Sequence, residues 1–135
     1  MTECLFCKVQ KPGHEREIVY ENKFFYATRD SYPVTEFHTL IILKRHIQSY
    51  FDMNNDEINS LNKILNVQRK VIMELDSTVT AFNIGINDGK EAGQSIPHLH
   101  IHLIPRRKGD VEDPQGGVRG VIPEKQKYIR KKVEK

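Results

Sequence analysis

Three of the six histidines of this chain fall at alternate positions within five residues. His98, His100 and His102 are separated by Leu99 and Ile101. In a β-strand successive side chains point to opposite faces, so the three imidazoles are expected on one face and the aliphatic side chains on the other. The pattern predicts a strand with one face that packs and one face that carries chemistry.

The spacing of the three imidazoles limits the chemistry that they can share. Neighbouring rings lie about 6.5 Å apart along such a strand, and His98 and His102 lie about 13 Å apart. A single metal ion held by all three rings would therefore need a bent strand. Near neutral pH an imidazole serves as nucleophile, proton carrier, hydrogen-bond donor or metal ligand, so we expect separate tasks rather than one metal cage.

A second group of residues that could do chemistry, Cys4 and Cys7, lies near the start of the chain. Two cysteines at this spacing indicate a metal or redox pair. Two thiolates make half of a tetrahedral zinc site, which then needs two more nitrogen or sulfur ligands from elsewhere. A thioredoxin-type redox pair has the same spacing, but no βαβ pattern surrounds this one. The alternatives are thus half of a zinc site or two reduced structural thiols.

The residues that must position these groups form strand-like segments around one helical segment. β-branched and aromatic residues, apolar runs and alternation all predict strands. The predicted strands are two within residues 17–26, joined by a turn, and one each within residues 38–43, 78–86 and 98–105.

One long helix is predicted from Asn54 to Leu75, because apolar residues keep to one stripe at helical spacing. Asn55, followed by Asp56 and Glu57, is the predicted N-cap and first turn. We expect this helix to cover the aliphatic face of the histidine strand. The stripe consists of Ile58, Leu61, Ile64, Leu65, Val71, Ile72 and Leu75.

A glycine-bearing loop, residues 87–95, leads into the histidine strand. It is not a P-loop, because Lys90 precedes the second glycine and no Gly-Lys-Ser/Thr sequence opens a helix. Its polar residues Asn87, Gln94 and Ser95 nevertheless offer donors for phosphate oxygens beside the histidines. Ser95 is not expected to be a hydrolase nucleophile, since Gly-x-Ser-x-Gly is absent.

Length and composition narrow the class of protein. A chain of 135 residues makes one domain with a real core. The sequence has neither an apolar run long enough to span a bilayer nor a signal-peptide pattern, so we expect a soluble, cytoplasmic protein without a membrane partner. We place the folded domain at residues 1–110 and a basic C-terminal extension at residues 111–135.

The charge of the chain is concentrated at its end. The segment 124–135 contains six basic and two acidic residues, which account for the whole of the formal net charge of +3. The body of the chain therefore carries no excess of positive charge. We predict no nucleic-acid partner from this distribution.

The sequence His-Leu-His-Ile-His-Leu-Ile at residues 98–104 resembles the His-φ-His-φ-His-φ-φ pattern, where φ is apolar, of the histidine triad (HIT) family of nucleotide hydrolases and transferases. The flanking Gly93-Gln94-Ser95 and Pro105-Arg106-Arg107 resemble its diadenosine polyphosphate hydrolase and nucleoside phosphoramidase branches. The similarity runs from Cys4 to about Lys108. It implies an α+β fold, in which an antiparallel sheet of about five strands carries one long helix, and a homodimer.

The resemblance also implies a role for each histidine of the triad. His100 would attack the α-phosphate of a dinucleoside polyphosphate or a nucleoside phosphoramidate and form a nucleotidyl-histidine, which water or phosphate then cleaves. His102 would hydrogen-bond the phosphate or the leaving group, and His98 would support the strand. We expect one ring nitrogen of His100 to donate to a backbone carbonyl, because this keeps the attacking nitrogen unprotonated.

Further residues take expected roles from the same resemblance. The implied substrate-binding residues are Asp30, His38, Asn87, Gln94 and Ser95. The implied ligands of a structural zinc ion are Cys4, Cys7, His46 and His98. After the histidine strand, Arg106 and Arg107 either pair with distal phosphates or face solvent.

Two other functions compete with the covalent mechanism. A zinc hydrolase would use His98 and His100 as ligands and a water molecule as nucleophile. A zinc- and nucleotide-binding regulatory or scaffold protein would bind AMP without turnover. The three functions differ in whether a labelled nucleotide becomes attached to the chain.

Overall fold

The structure of the protein, a computed structural model, describes residues 4–131. Its five strands form one antiparallel sheet in the order β1-β2-β3-β5-β4. The strands are β1 (Tyr20–Glu21), β2 (Phe25–Arg29), β3 (Thr39–Leu43), β4 (Val79–Gly85) and β5 (His100–Arg107). The α-helices are α1 (Leu5–Lys8) and α2 (Asn55–Leu75). This confirms the predicted α+β fold of five antiparallel strands and one long helix.

The register of β5 places the histidines on one face of the sheet. His100 lies opposite Ile42 of β3, while His102 lies opposite Leu40 of β3 and Gly85 of β4. The intervening Ile101 and Leu103 are buried on the other face. The sequence analysis placed His98 in this strand, but His98 lies in the bend before β5, two positions before its first residue. Its backbone N–H donates to the carbonyl oxygen of Ile96.

Both faces of the sheet are covered around β3, whose five residues are all buried. On one face α2 packs on the strands, and its Leu61 and Ile64 join Leu99 and Ile101 in a single apolar cluster. On the histidine face, Phe6 of α1 and Val9 pack against β2 and β3. The helix therefore covers the aliphatic face of the histidine strand, as predicted.

The start of α2 differs from the sequence prediction by one residue. Asn54, not Asn55, is the N-cap: its side chain accepts the Glu57 N–H at 2.8 Å, and Glu57 accepts the Asn54 N–H at 3.0 Å. This capping box leaves Asn55 as the first helical residue. Glu57 is only 2% exposed and is held by Arg45 at 2.9 Å, so this first-turn carboxylate is part of the packed face.

The predicted apolar stripe of α2 is correct in its middle and too wide at its edges. Leu61, Ile64 and Ile72 are buried, whereas Ile58 and Leu75 are exposed. Gln68 is buried in their place because its side-chain oxygen accepts a hydrogen bond from Arg29 of β2 at 3.0 Å. A polar residue thus occupies the core where a strand supplies a donor.

The C-terminal segment folds back on the sheet in short 3₁₀ turns, Gly117–Val121 and Pro123–Lys125. The last part of the predicted basic extension, residues 132–135, lies outside the described residues. Within residues 4–131, no helix is both long enough and apolar enough to cross a membrane.

Candidate functional site

Four predicted metal ligands meet at the start of the histidine strand. His98 Nδ1 lies 3.3 Å from Cys4 Sγ, 3.6 Å from Cys7 Sγ and 3.1 Å from His46 Nδ1. Cys7 Sγ lies 3.2 Å from His46 Nδ1. The fold brings Cys4 and Cys7 from α1, His46 from the turn after β3, and His98 from the bend before β5 into one cluster.

The donor atoms of this cluster fit a tetrahedral zinc ion. With Zn–S near 2.3 Å and Zn–N near 2.05 Å, tetrahedral ligands stand about 3.3 Å apart for two nitrogens and about 3.6 Å apart for nitrogen and sulfur. The observed separations range from 3.1 to 3.6 Å. His98 Nε2 donates to the Leu43 carbonyl oxygen at 2.6 Å, which leaves Nδ1 unprotonated toward the cluster.

His100 is held with one nitrogen occupied and the other available. Its Nδ1–H donates to the carbonyl oxygen of His98 at 2.8 Å, which is the hydrogen bond that the sequence analysis predicts. Within residues 4–131, Nε2 of this ring has no hydrogen-bond partner. Burial lowers the pKa of His100, so the ring is neutral at pH 7 and Nε2 carries a lone pair.

His102 belongs to a separate chain of hydrogen bonds. The Val34 N–H donates to His38 Nδ1 at 3.0 Å, so the proton of a neutral His38 ring lies on Nε2. That Nε2–H points to His102 Nδ1 at 2.9 Å and to Asp30 Oδ2 at 3.4 Å. His102 Nδ1 is therefore an acceptor, and the ring proton of His102 lies on Nε2.

The environment keeps His102 uncharged. Burial, followed by the nearby His100 and His38 rings, lowers its pKa to about 4, while Asp30 opposes the shift. Neutral His102 presents an Nε2–H donor next to the unprotonated Nε2 of His100, whose ring centroid is 5.3 Å away. One ring is thus suited to attack an electrophile and the other to donate a hydrogen bond to it.

Asp30, His38 and His102 are close enough to suggest a second metal site, with donor atoms within 4.8 Å of one another. The hydrogen bonds argue against it. His38 Nδ1 already accepts the Val34 N–H, so a metal bound at Nε2 would require His38 to lose its remaining ring proton and become an imidazolate anion. This group is better described as a hydrogen-bonded support for His102.

The predicted phosphate-binding residues of the loop before the histidine strand differ in whether their side chains are already hydrogen-bonded within the protein. Gln94 uses its whole side chain inside the loop: it accepts the Gly89 N–H and donates to the carbonyl oxygens of Gln48 and Ile96. Asn87 and Ser95 make no side-chain hydrogen bond to any residue that the structure describes. Gln94 therefore shapes the loop, whereas the side chains of Asn87 and Ser95 are available to a ligand.

Both arginines after the histidines are committed to ion pairs. Arg106 donates to both carboxylate oxygens of Asp110 at 2.8 Å, and Arg107 binds Asp76 at 3.0 Å. The sequence analysis left phosphate pairing and solvation open, and the structure shows a third arrangement. The Arg106 guanidinium also holds the pKa of Asp110 well below its usual range.

Sequence reasoning missed Phe6 and Val34 as parts of the site. The Phe6 ring packs edge-on against His100, with centroids 5.0 Å apart, and against His98 at 6.0 Å. Its position between the two cysteines was an available signal, because a residue on a metal-bound turn must lie near the metal. The Val34 N–H had no such signal, since any backbone amide can donate.

Comparison with known proteins gives a consistent result. The HIT domain family matches residues 11–109 of this chain. An uncharacterized HIT-like protein of Methanocaldococcus jannaschii is 35% identical over 109 residues, which are 81% of this chain and 83% of that protein. The asymmetrical bis(5'-nucleosyl)-tetraphosphatase of Schizosaccharomyces pombe is 34% identical over 97 residues, which are 72% of this chain and 53% of that enzyme.

A solved structure supports the same comparison. A zinc-bound histidine triad family protein from Mycobacterium smegmatis superposes with a TM-score of 0.74 at 31% sequence identity. The match covers 82% of this chain and 80% of the other. Similarity in sequence and in fold thus extend over most of the described residues.

Proposed function

Because this chain belongs to the histidine triad family, we propose that it is a nucleotide hydrolase or transferase whose His100 forms a covalent nucleotidyl-histidine. The substrate is a dinucleoside polyphosphate or a nucleoside phosphoramidate, and reaction takes place at its α-phosphate. The observation that carries this proposal is the hydrogen bond from His100 Nδ1–H to the His98 carbonyl oxygen. It leaves Nε2 as the nitrogen of the neutral ring that carries the lone pair.

In the first step, His100 Nε2 attacks the α-phosphorus, a new P–N bond forms, and the bond to the leaving group breaks. The leaving group departs with the electron pair of that bond: a nucleotide leaves as its phosphate anion, and an amine takes up a proton from solvent as it leaves. The modified imidazole carries a positive charge, which the His98 carbonyl oxygen stabilises through Nδ1–H. His102 donates its Nε2–H to the departing or non-bridging oxygens and keeps its proton.

In the second step, a water molecule or a phosphate ion attacks the same phosphorus and the P–N bond breaks. The electron pair returns to His100 Nε2, and with water the surplus proton goes to solvent or product. Nucleotide and leaving group are then both free. The chain is restored with the same proton on Nδ1 of His100.

The remaining predicted residues position the substrate in this proposal. Asp30 and His38 face the ribose and phosphate side of His102 and support its ring. Asn87 and Ser95 donate to phosphate oxygens, and Gln94 holds the loop that carries them.

The cysteine-histidine cluster completes the proposal as a structural zinc site. Cys4, Cys7, His46 and His98 would hold the ion, which supplies a cross-link rather than a reactant. Reduced thiols are required for such a site, so we place the protein in the cytoplasm. We also propose that the protein acts as a homodimer.

The first prediction concerns the nucleophile. Replacing His100 with asparagine should remove most hydrolysis of diadenosine triphosphate, by at least about a thousandfold, while nucleotide affinity changes little. Rapid quenching into alkaline denaturant, in which the P–N bond of a nucleotidyl-histidine survives, should trap label from a substrate with a labelled α-phosphate on the wild-type chain and none on His100→Asn. His14→Asn, a histidine outside the site, is the matched control and should label normally.

Each competing function predicts a different outcome of this experiment. A zinc hydrolase would turn over substrate without labelled protein and would lose activity with a chelator. A regulatory or scaffold protein would bind AMP with neither turnover nor label. Equal loss of affinity and turnover in His100→Asn would contradict a nucleophilic role.

A further inference from the structure

A groove of about 590 Å³ continues the histidine face beyond His102. Its floor includes Ile104 and Arg106 of β5, which point to the same face as His100 and His102 because side chains alternate along a strand. These two residues lie about 7 and 13 Å beyond His102 along the strand. Asn83 and Gly85 of β4 continue the floor sideways. The volume is typical of a small-molecule pocket.

The outer wall of the groove is built by residues that follow the segment matched to the HIT family. Val111 and Val118 belong to this wall, whereas the family match ends at residue 109. The wall has a defined structure: Gln126 donates to the Gln115 carbonyl oxygen at 3.1 Å, and Arg119 donates to the Gln126 carbonyl oxygen at 3.2 Å. The C-terminal extension therefore supplies the outer wall of the groove, and the matched domain supplies its floor.

A glycine allows this wall to form. Gly116 has φ +90°, in the left-handed region, and a Cβ at this position would overlap the backbone carbonyl of Gln126. The close approach brings the two ends of the C-terminal segment together.

The charges in the groove do not favour a phosphate chain. Its two cationic residues are both paired, Arg106 with Asp110 at 2.8 Å and Lys127 with Asp113 at 3.6 Å. The apolar walls include Val34 and Val118, which are 70% and 61% exposed. Glu112 adds a further carboxylate to the lining, so the groove has no excess of positive charge to attract a phosphate chain. Exposed aliphatic surface beside such charges is suited to a flat, uncharged ring.

We propose that this groove binds the group that leaves the scissile phosphate, and that it takes a nucleobase or a comparable aromatic ring. The inference rests on the proposed function, because a leaving group requires that His100 attack a phosphorus. The attacked nucleotide then lies at His100, and the second nucleoside of a dinucleoside polyphosphate extends along β5 past His102. The C-terminal extension thereby selects large leaving groups over small ones.

The test compares two substrates and two matched variants. Diadenosine triphosphate has a nucleoside in its leaving group, and adenosine 5'-phosphoramidate has only ammonia. Val118→Arg should lower the ratio of kcat/KM for the large substrate to that for the small one by about tenfold, mainly through KM. Val121→Arg makes the same change in the same 3₁₀ turn outside the groove, and its ratio should stay within about twofold of wild type.

Three outcomes would overturn the inference. In the first, the ratio for Val118→Arg is unchanged. In the second, the ratio falls equally in Val118→Arg and Val121→Arg. In the third, light scattering shows that Val118→Arg alters the oligomeric state while the ratio is unaffected, which would assign the groove to a second copy of the chain. If the wild-type chain turns over both substrates and Val118→Arg does not change the ratio, the groove assignment is wrong and the proposed function is unaffected. A wild-type chain that turns over neither substrate would contradict the proposed function itself.

Discussion

At the scale of single residues, the three triad histidines differ in where their one proton lies. His98 donates from Nε2 to the Leu43 carbonyl oxygen, and His100 donates from Nδ1 to the His98 carbonyl oxygen. His102 accepts at Nδ1 from His38. Three chemically identical side chains therefore differ in which nitrogen is unprotonated: Nδ1 in His98 and His102, and Nε2 in His100. The backbone carbonyls of Leu43 and His98 and the ring of His38 determine where each proton lies.

The charge state of His102 provides a prediction at this scale. Burial disfavours its protonated form. Within residues 4–131, Asp30 is the carboxylate that counteracts this effect, and the wild-type ring should titrate near pH 4. Asp30→Asn removes the opposing negative charge and should shift the pKa of His102 further downward. The rings of His100 and His38, which also face His102, remain in place. Nitrogen-15 NMR of the imidazoles over a pH titration measures the shift directly.

Asp56→Asn serves as the control for this titration. Asp56 lies on the first turn of α2, on the opposite side of the sheet from the histidines. Its substitution should leave the titration of His102 unchanged. A His102 ring that titrates near 6.5, or that moves upward in Asp30→Asn, would contradict the hydrogen-bond assignment.

At the scale of elements, the active face is assembled by turns rather than by strands alone. The turn after β3 carries His46 into the metal cluster, and its Gln48 accepts a hydrogen bond from Gln94 of the loop before β5. The same turn holds Asp88 through the Ser49 hydroxyl at 3.0 Å and the Tyr50 N–H at 2.8 Å. A change at the cluster of Cys4, Cys7, His46 and His98 should therefore affect the loop of residues 87–95 as well.

The prediction for these elements is a structural zinc ion. Metal analysis should find about one zinc per chain, and Cys4→Ser should release it. Loss of a cross-link between α1, the turn after β3 and the start of β5 should lower the melting temperature by roughly 5 °C or more. Calorimetry measures this change.

A chelator supplies the control for the zinc prediction. It should lower the melting temperature of the wild-type protein toward that of Cys4→Ser and leave the variant unaffected. A metal-free preparation with full thermal stability would remove the zinc proposal. The chemistry proposed for His100 would not be affected, since it does not pass through the metal.

At the scale of the whole molecule, the edge of the sheet formed by β4 pairs with no further strand of the described residues. β4 is an edge strand, and Ile84 on it is 53% exposed. A second groove, of about 380 Å³, lies between β4 and α2 and includes Leu65, Met73 and Phe82. An edge strand beside an apolar groove is a surface that monomeric proteins usually protect.

We predict that this open edge forms the homodimer interface. Light scattering should give twice the mass of one chain. Ala81→Glu changes an exposed residue of β4 that lines the second groove and not the first. It should give a monomer, because two like charges would face each other across a symmetric interface. Ile129→Glu, at a side chain that is 97% exposed on the C-terminal segment, should remain dimeric. A monomeric wild-type protein at micromolar concentration would contradict the prediction.

The sequence alone determined the family and fold class of this protein and the separation of its histidines from the aliphatic residues between them. Alternation with period two is a local property, so His98, His100 and His102 could be separated from Leu99 and Ile101 without a structure. Helical spacing gave α2 for the same reason. The family pattern at residues 98–104 pointed to the HIT family, which the comparisons bear out.

Only the tertiary structure decided which partner each histidine has. Cys4 and His98 are 94 positions apart in the chain, and His38 and His102 are 64 apart, so no local pattern relates them. The same holds for the pairing of Arg107 with Asp76, which are 31 positions apart. Hydrogen bonds and charges act over a few ångströms of space, and only the folded chain determines which groups come that close.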